Sequence, residues 1–172
     1  MVVGGPNARS DYHINTTAEW FFQYSGGMLL KVVESLPSDP ADPRSPLREV
    51  FRDIHIAEGE MFLLPPNIPH NPVRFANTVG IVVEQHRPEG ALDILRWYCP
   101  NEDCCRVVHE AAFVCKDLGT QVKQTVEKFT SRPQQERTCA QCGQGIAGEK
   151  PVLKAPSNGS GTVGGHSEVK IR

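Results

Sequence analysis

The sequence predicts a mainly β protein with a small C-terminal appendage of helices and cysteines. Three observations carry that expectation. Up to residue 98, stretches rich in Val, Ile, Leu and Phe are separated by Gly, Pro and Asn, as strands are separated by turns. From about residue 91, helical spacing enters. All six cysteines fall between residues 99 and 142, which implies a second functional region.

Taken in order, "GGMLLKVVES" (26–35), "VFRDIHIAEGEMFLLP" (50–65) and "TVGIVVEQHR" (78–87) read as strands. The segment 34–49 carries four prolines and four carboxylates and reads as an exposed loop. "ALDILRWYC" (91–99) and "DLGTQVKQTVEKFTSR" (117–132) show helical spacing, the second with Leu118, Val122, Val126 and Phe129 near one face. After residue 145 the chain is rich in Gly, Ser and Lys and lacks aromatics, the composition of a flexible tail. The division expected is a β barrel over 1–90, helices and a four-cysteine site packed on it over 91–145, and a tail over 146–172.

The chain of 172 residues is long enough for one domain with a substantial core. Apolar residues make up 39% and charged residues 22%, a globular balance. A net charge of −2 gives no argument for nucleic acid or an anionic membrane as partner. No apolar run approaches the roughly 20 residues that span a bilayer, and no signal peptide is visible, so a cytoplasmic location is expected. In a reducing compartment the cysteines read as ligands or core residues rather than disulfides.

"DYHINTTAEWFF" (11–22) places His13 and Glu19 in an apolar, aromatic-rich stretch. "GEMFLLPPNIPHNPVR" (59–74) delivers His70 from a turn stiffened by prolines. A lone histidine in a β protein is more often structural than a ligand, and a lone glutamate is usually solvated. Two imidazoles and one carboxylate, however, are the donor set of non-haem Fe(II) sites that leave positions open for substrate and O2. The spacing favours that reading. His13-x5-Glu19-x6-Gly26 followed by Gly59-x5-Pro65-x4-His70 resembles the two-part motif of the cupin superfamily. Asn15 stands where cupins usually carry a second histidine, and Asn67 where they often carry glycine. The change at Asn15 turns a four-ligand site into a three-ligand one, open to a bidentate substrate.

"VVGGPNARSDYHINTTAEWFFQ", "FLLPPNIPHNPVRF", "VGIVVEQHRP" and "RWYC" together resemble the 3-hydroxyanthranilate 3,4-dioxygenase family, from residue 2 to about 145. The resemblance implies a jelly-roll cupin barrel and oxidative ring opening of 3-hydroxyanthranilate by O2. The product would be 2-amino-3-carboxymuconate semialdehyde, which closes to quinolinate in the kynurenine route of NAD biosynthesis. It implies His13, Glu19 and His70 as Fe(II) ligands, Arg74 as clamp on the substrate carboxylate, and Arg9 in substrate and oxygen handling. Glu84 would contact the ring's polar groups and accept the hydroxyl proton, although an acidic residue ending a strand is often simply exposed. Asp11 would hydrogen-bond a ligating imidazole. Family members often form homodimers.

His55 and His86 read as surface residues, and His166 lies in the tail. "CPNEDCC" (99–105) and "CAQC" (139–142) supply a second constellation. Cys139 and Cys142 have the spacing of a metal knuckle, and four thiolates would make a closed, structural site. Microbial members of the family carry a rubredoxin-like four-cysteine site here. Cys99, Cys104, Cys139 and Cys142 are the expected ligands of Fe or Zn, with Cys105 as alternative to Cys104. Cys115 reads as a buried apolar residue and His109 as a remote substitute ligand. The family normally carries several dozen residues before the segment matching "VVGGPN". A chain starting here is expected to leave a barrel edge unpaired and to be less stable and less active than a longer one. Competing readings are another metal-dependent cupin such as an isomerase, a non-catalytic binding module, and an inactive shortened form.

Overall fold

The structure, a computed structural model, describes residues 1–7 and 9–147. Most of the expected tail, with His166, lies outside the described residues. Ten strands lead to one helix: β1 (Val2–Gly4), β2 (Tyr12–Ile14), β3 (Glu19–Ser25), β4 (Met28–Pro37), β5 (Leu47–Ile56), β6 (Met61–Leu64), β7 (His70–Arg74), β8 (Val79–Glu84), β9 (Leu92–Tyr98), β10 (Val107–Val114) and α1 (Leu118–Thr130). They form two antiparallel sheets, in the orders β1-β8-β3-β6 and β10-β9-β2-β7-β4-β5. The mainly β class and the two-sheet jelly roll are as the sequence and its resemblance predict.

Alternation explains why the sheets face each other. In β3, Glu19, Phe21 and Gln23 are buried while Trp20, Phe22 and Tyr24 point outward, because successive side chains of a strand take opposite faces. Phe21 packs with Met28, Leu30, Val32, Ile56, Leu64 and Val82 in the core between the sheets. Truncating Phe21 to alanine there would cost about 3–5 kcal/mol. A second core, of Leu95, Trp97, Val122, Phe129 and Ile146, binds α1 to β9. Asp117 caps α1, accepting from the Thr120 hydroxyl at 2.6 Å. The expected helical face of Leu118, Val122, Val126 and Phe129 is the one that packs.

Three expectations change. Residues 91–99 are not helical. Leu92–Tyr98 is strand β9, paired with both β2 and β10. Its buried Asp93, Leu95 and Trp97 alternate with half-buried Ile94 and Arg96, a period of two hidden by the Leu and Ile that also fit a helix. The loop 34–49 is shorter than expected, because β4 and β5 stay in register out to Pro37 opposite Leu47. Ile146, assigned to the tail, is a buried member of the second core. Among the described residues no helix is long and apolar enough to cross a membrane.

Candidate active site

Three elements bring three side chains to one point. β2 and β7 pair so that His13 lies directly opposite His70, and β3 of the facing sheet presents Glu19 as its first inward residue. All three are buried. Glu19 Oε1 is 3.3 Å from His70 Nε2 and 3.7 Å from His13 Nδ1. One donor atom from each residue lies within 4.8 Å of the other two.

The hydrogen bonds around the rings decide what these atoms present. His70 Nδ1 is 3.0 Å from the Ile68 carbonyl oxygen, which can only accept, so this nitrogen carries the proton. His13 Nε2 is 2.8 Å from Asp93 Oδ2, again an acceptor when ionised. Each neutral ring therefore turns a lone pair, not a proton, toward the Glu19 carboxylate. Three acceptors facing one another repel unless a cation lies between them. The donor set and its outer hydrogen bonds fit a metal ion. Asn15 donates to Glu19 Oε1 at 2.6 Å, so the residue in the place of a second cupin histidine steadies the carboxylate.

A cavity of about 490 Å³ opens from this point, within the range of small-molecule sites. Arg9, Arg74 and Glu84 line it together with the His–Glu–His group, and α1 forms part of its wall through Leu118 and Val122. Arg74 is buried, and its Nη1 has the Met28 sulfur at 3.9 Å. Among the described residues no carboxylate lies within ion-pair distance of it. Burial, and then the charge of Arg9, lower the Arg74 pKa to about 10. Gly80 makes room for it: a Cβ there would lie 3.1 Å from Arg74 Nη1 and 2.3 Å from Gln23 Oε1.

Asp11 does not hydrogen-bond an imidazole. Its carboxylate takes Arg9, with Nε at 3.0 Å, and its carbonyl takes the Asn71 amide. The partner of His13 is Asp93, which sequence reasoning missed because its segment read as a helix. Burial disfavours the charge of Asp93, but hydrogen bonds from His13 and Arg87 hold its carboxyl down at about 2. Arg87 was missed too. Its guanidinium reaches Glu84 at 2.7 Å and Asp93 at 3.0 and 3.1 Å. The signal in the sequence is the period of two that sets Asp93 on one strand face with Leu95 and Trp97.

The second constellation also assembles. Cys99, Cys104, Cys139 and Cys142 place their sulfurs within 4.8 Å of one another, with Cys99–Cys142 at 3.4 Å and Cys104–Cys139 at 3.7 Å. All four are free thiols. Backbone N–H groups of Cys142 and Gln141 lower the Cys139 thiol to about 7, which favours the ligating thiolate. Cys105 turns away, toward the carbonyls of Asn101 and Glu102. His109 stacks on Phe129 and lies tilted against Trp97, and it is not in the sulfur cluster. Cys115 is half-buried, short of the burial expected, and His55 and His86 are exposed.

The family model described as 3-hydroxyanthranilic acid dioxygenase matches residues 1–130. A protein of Podospora anserina named 3-hydroxyanthranilate 3,4-dioxygenase is 56% identical over 160 residues, covering 91% of this chain and 79% of its own length. A Neurospora crassa protein of the same name is 59% identical over 143 residues, covering 83% of this chain and 71% of its own. One from Yarrowia lipolytica is 53% identical over 151 residues, covering 88% and 80%. A matching family model over three quarters of the length, with relatives this similar across most of theirs, makes this chain a member of the 3-hydroxyanthranilic acid dioxygenase family and an enzyme of that kind.

Proposed function

We propose that the protein opens the ring of 3-hydroxyanthranilate with O2 at an Fe(II) centre held by His13, Glu19 and His70. The product is 2-amino-3-carboxymuconate semialdehyde, which cyclises to quinolinate for NAD synthesis in the cytoplasm. The observation that carries the reading is the pairing of a buried acceptor triad with a buried, uncompensated Arg74 in one cavity. Relatives named for this activity support it.

Fe(II), when bound, supplies a Lewis-acidic centre with open positions at which an electron-rich ring and O2 meet. The protein's own part is placement. Arg74 takes the substrate carboxylate with its planar fork, which satisfies a guanidinium whose one side-chain hydrogen-bond partner among the described residues is the Met28 sulfur. Arg9 adds positive charge to the same wall. Glu84, at the end of β8 and opposite Glu19 of β3 in register, accepts the ring hydroxyl proton as the substrate settles. Asn15 leaves the metal's fourth cupin position open while steadying Glu19.

The four cysteines hold a structural Fe or Zn ion that ties the β9–β10 turn to the segment after α1. Two copies pair through the outer face of the four-stranded sheet. There Trp20 lies between Leu63 and Val83, and Phe22 between Met61 and Ile81. Val2, Tyr24, Met61, Leu63 and Val83 are all more than half exposed, an apolar area of the kind that marks interfaces.

The test is oxygen uptake by anaerobically Fe(II)-loaded protein mixed with 3-hydroxyanthranilate. Stoichiometric uptake with formation of the semialdehyde, lost in His70→Ala, is the expected result. Folded, Fe(II)-loaded protein that consumes no oxygen with this substrate would overturn the assignment.

A further inference from the structure

One guanidinium touches both halves of the site. Arg87 Nη2 donates to Glu84 Oε2 at 2.7 Å and to Asp93 Oδ2 at 3.0 Å, while Nε donates to Asp93 Oδ1 at 3.1 Å. Nη1 is anchored by Thr17 Oγ1 at 3.3 Å and the Gln85 carbonyl at 3.2 Å. Among the described residues Arg87 is the one arginine or lysine within ion-pair distance of either carboxylate. Asp93 is completely buried, and the oxygen shared with Arg87 also receives His13 Nε2.

We propose that Arg87 is a positioning residue that sets metal affinity through Asp93 and substrate placement through Glu84. The proposal rests on reading His13, Glu19 and His70 as metal ligands and Glu84 as a substrate contact. The physical argument is one of orientation. Two parallel hydrogen bonds from Arg87 fix the plane of the Asp93 carboxylate. That plane fixes the His13 ring, with Nδ1 turned toward Glu19 and His70. The second N–H of Nη2 stops Glu84 from rotating out of the cavity. Lysine cannot replace this geometry, because an ammonium lacks the planar fork that meets two carboxylates at set angles. Lost outer hydrogen bonds to a ligating histidine typically weaken metal binding about 10–100-fold.

The test uses the full chain, stripped of metal and titrated with Co(II) against a competing chelator. Thiolate ligands give Co(II) an intense charge-transfer band, whereas the His–Glu–His set gives only weak visible bands, so the two sites are read separately. Arg87→Ala is expected to weaken the weak-band site about 10–100-fold and to leave the thiolate band unchanged. Asp93→Asn should produce a loss of the same order. The double variant should be no weaker than the weaker single, because both changes break one linkage. In Fe(II)-loaded protein, Arg87→Ala should raise KM for 3-hydroxyanthranilate more than Asp93→Asn does, since only the first releases Glu84.

Wild-type Co(II) affinity in Arg87→Ala, or losses that multiply in the double variant, would overturn the proposal. Should Arg87→Ala lose the thiolate band through misfolding, Arg87→Lys carries the same measurement. It keeps the charge without the fork, and wild-type affinity in that variant would equally overturn the proposal. His70→Ala tests the underlying reading separately: it must abolish the weak bands, and if they persist the ligand assignment fails whatever Arg87 does.

Discussion

His13 and His70 stand directly opposite each other across β2 and β7, their ring centroids 5.3 Å apart, and both turn an unprotonated nitrogen toward Glu19. That arrangement is poor for a metal-free protein and good for a loaded one. Glu19→Gln removes the charge that faces these two nitrogens. The metal-free variant is expected to melt no lower than the metal-free parent, and higher by the equivalent of about 1 kcal/mol. Saturating Fe(II) or Co(II) should then raise the melting temperature of the parent by more than that of the variant, which gains only from the intact cysteine site. A metal-free variant that melts lower, or gains as much from metal as the parent, would count against the lone-pair argument. Differential scanning calorimetry with and without metal makes the comparison.

Arg74 gives a pH dependence with a definite sign. Its pKa is lowered to about 10 by burial and by Arg9, so its cation is present below that pH and is lost as pH rises through it. The carboxylate of a ligand stays ionised over the same range. Affinity for benzoate, a minimal carboxylate probe without the ring hydroxyl or amine, should therefore hold steady up to about pH 9.5. Above about pH 10 it should fall by up to tenfold per unit. Arg74→Gln should bind benzoate about 10–100-fold less tightly at pH 8, as expected for loss of a charge-assisted hydrogen-bonded pair worth about 1.5–3 kcal/mol. It should show no titration near pH 10. Isothermal calorimetry across the range reads both effects, and an unchanged profile in the variant would assign the titration elsewhere.

How much of this was legible without coordinates varied with the kind of signal. His13, Glu19 and His70 could be selected together because their spacing resembles the two-part cupin motif, and β2, β3 and β7 bring them to one point. Cys104 could not be separated from Cys105 by spacing alone. Cys105 adopts a positive φ of 49° that turns its sulfur toward backbone carbonyls, a local choice that neighbouring residue types do not announce. Asp93 and Arg87 were hidden for a different reason. Leu92, Ile94 and Leu95 fit a helix as well as a strand, and only pairing with β2 decides it. Once β9 is a strand, Asp93 shares the inward face with Leu95 and Trp97, and its contact with His13 follows from the register. Long-range pairing, not local propensity, carried the missing information.

The cysteine cluster should act on the C-terminal segment and not on the His–Glu–His site. Cys142 is exposed while Cys99 and Cys139 are buried, and Ile146, four residues on, packs with Trp97 and Phe129. Cys142→Ser removes one of four thiolates from the outer side with little disturbance to packing. A hundredfold loss of metal affinity there would lower stability by about 2.7 kcal/mol at equal metal concentration, roughly 5–10 °C in a chain of this size. Amide exchange should accelerate in α1 and in residues 139–146, and stay unchanged in β2, β3 and β7. Co(II) affinity of the weak-band site should also be unchanged. Faster exchange around His13 and His70 would show that the two metal groups are mechanically coupled.

The outer face of the four-stranded sheet predicts the assembly. Trp20 and Phe22 stack at 5.9 Å and 7°, flanked by Leu63 and Met61 on β6, and by Val83 and Ile81 on β8. These side chains form the apolar centre of that face, of the kind that is buried first in an interface. Leu63 is 64% exposed and makes little contribution to the core, so Leu63→Lys should leave the melting of an isolated subunit nearly unchanged. In a dimer, a lysine near the centre of that face must be desolvated, often beside its symmetry mate. The dissociation constant is therefore expected to rise at least about 100-fold, equivalent to about 2.8 kcal/mol. Sedimentation velocity over a concentration series measures it directly. A parent chain that stays monomeric at high micromolar concentration, or a variant that dimerises as tightly as the parent, would place the interface elsewhere or remove it.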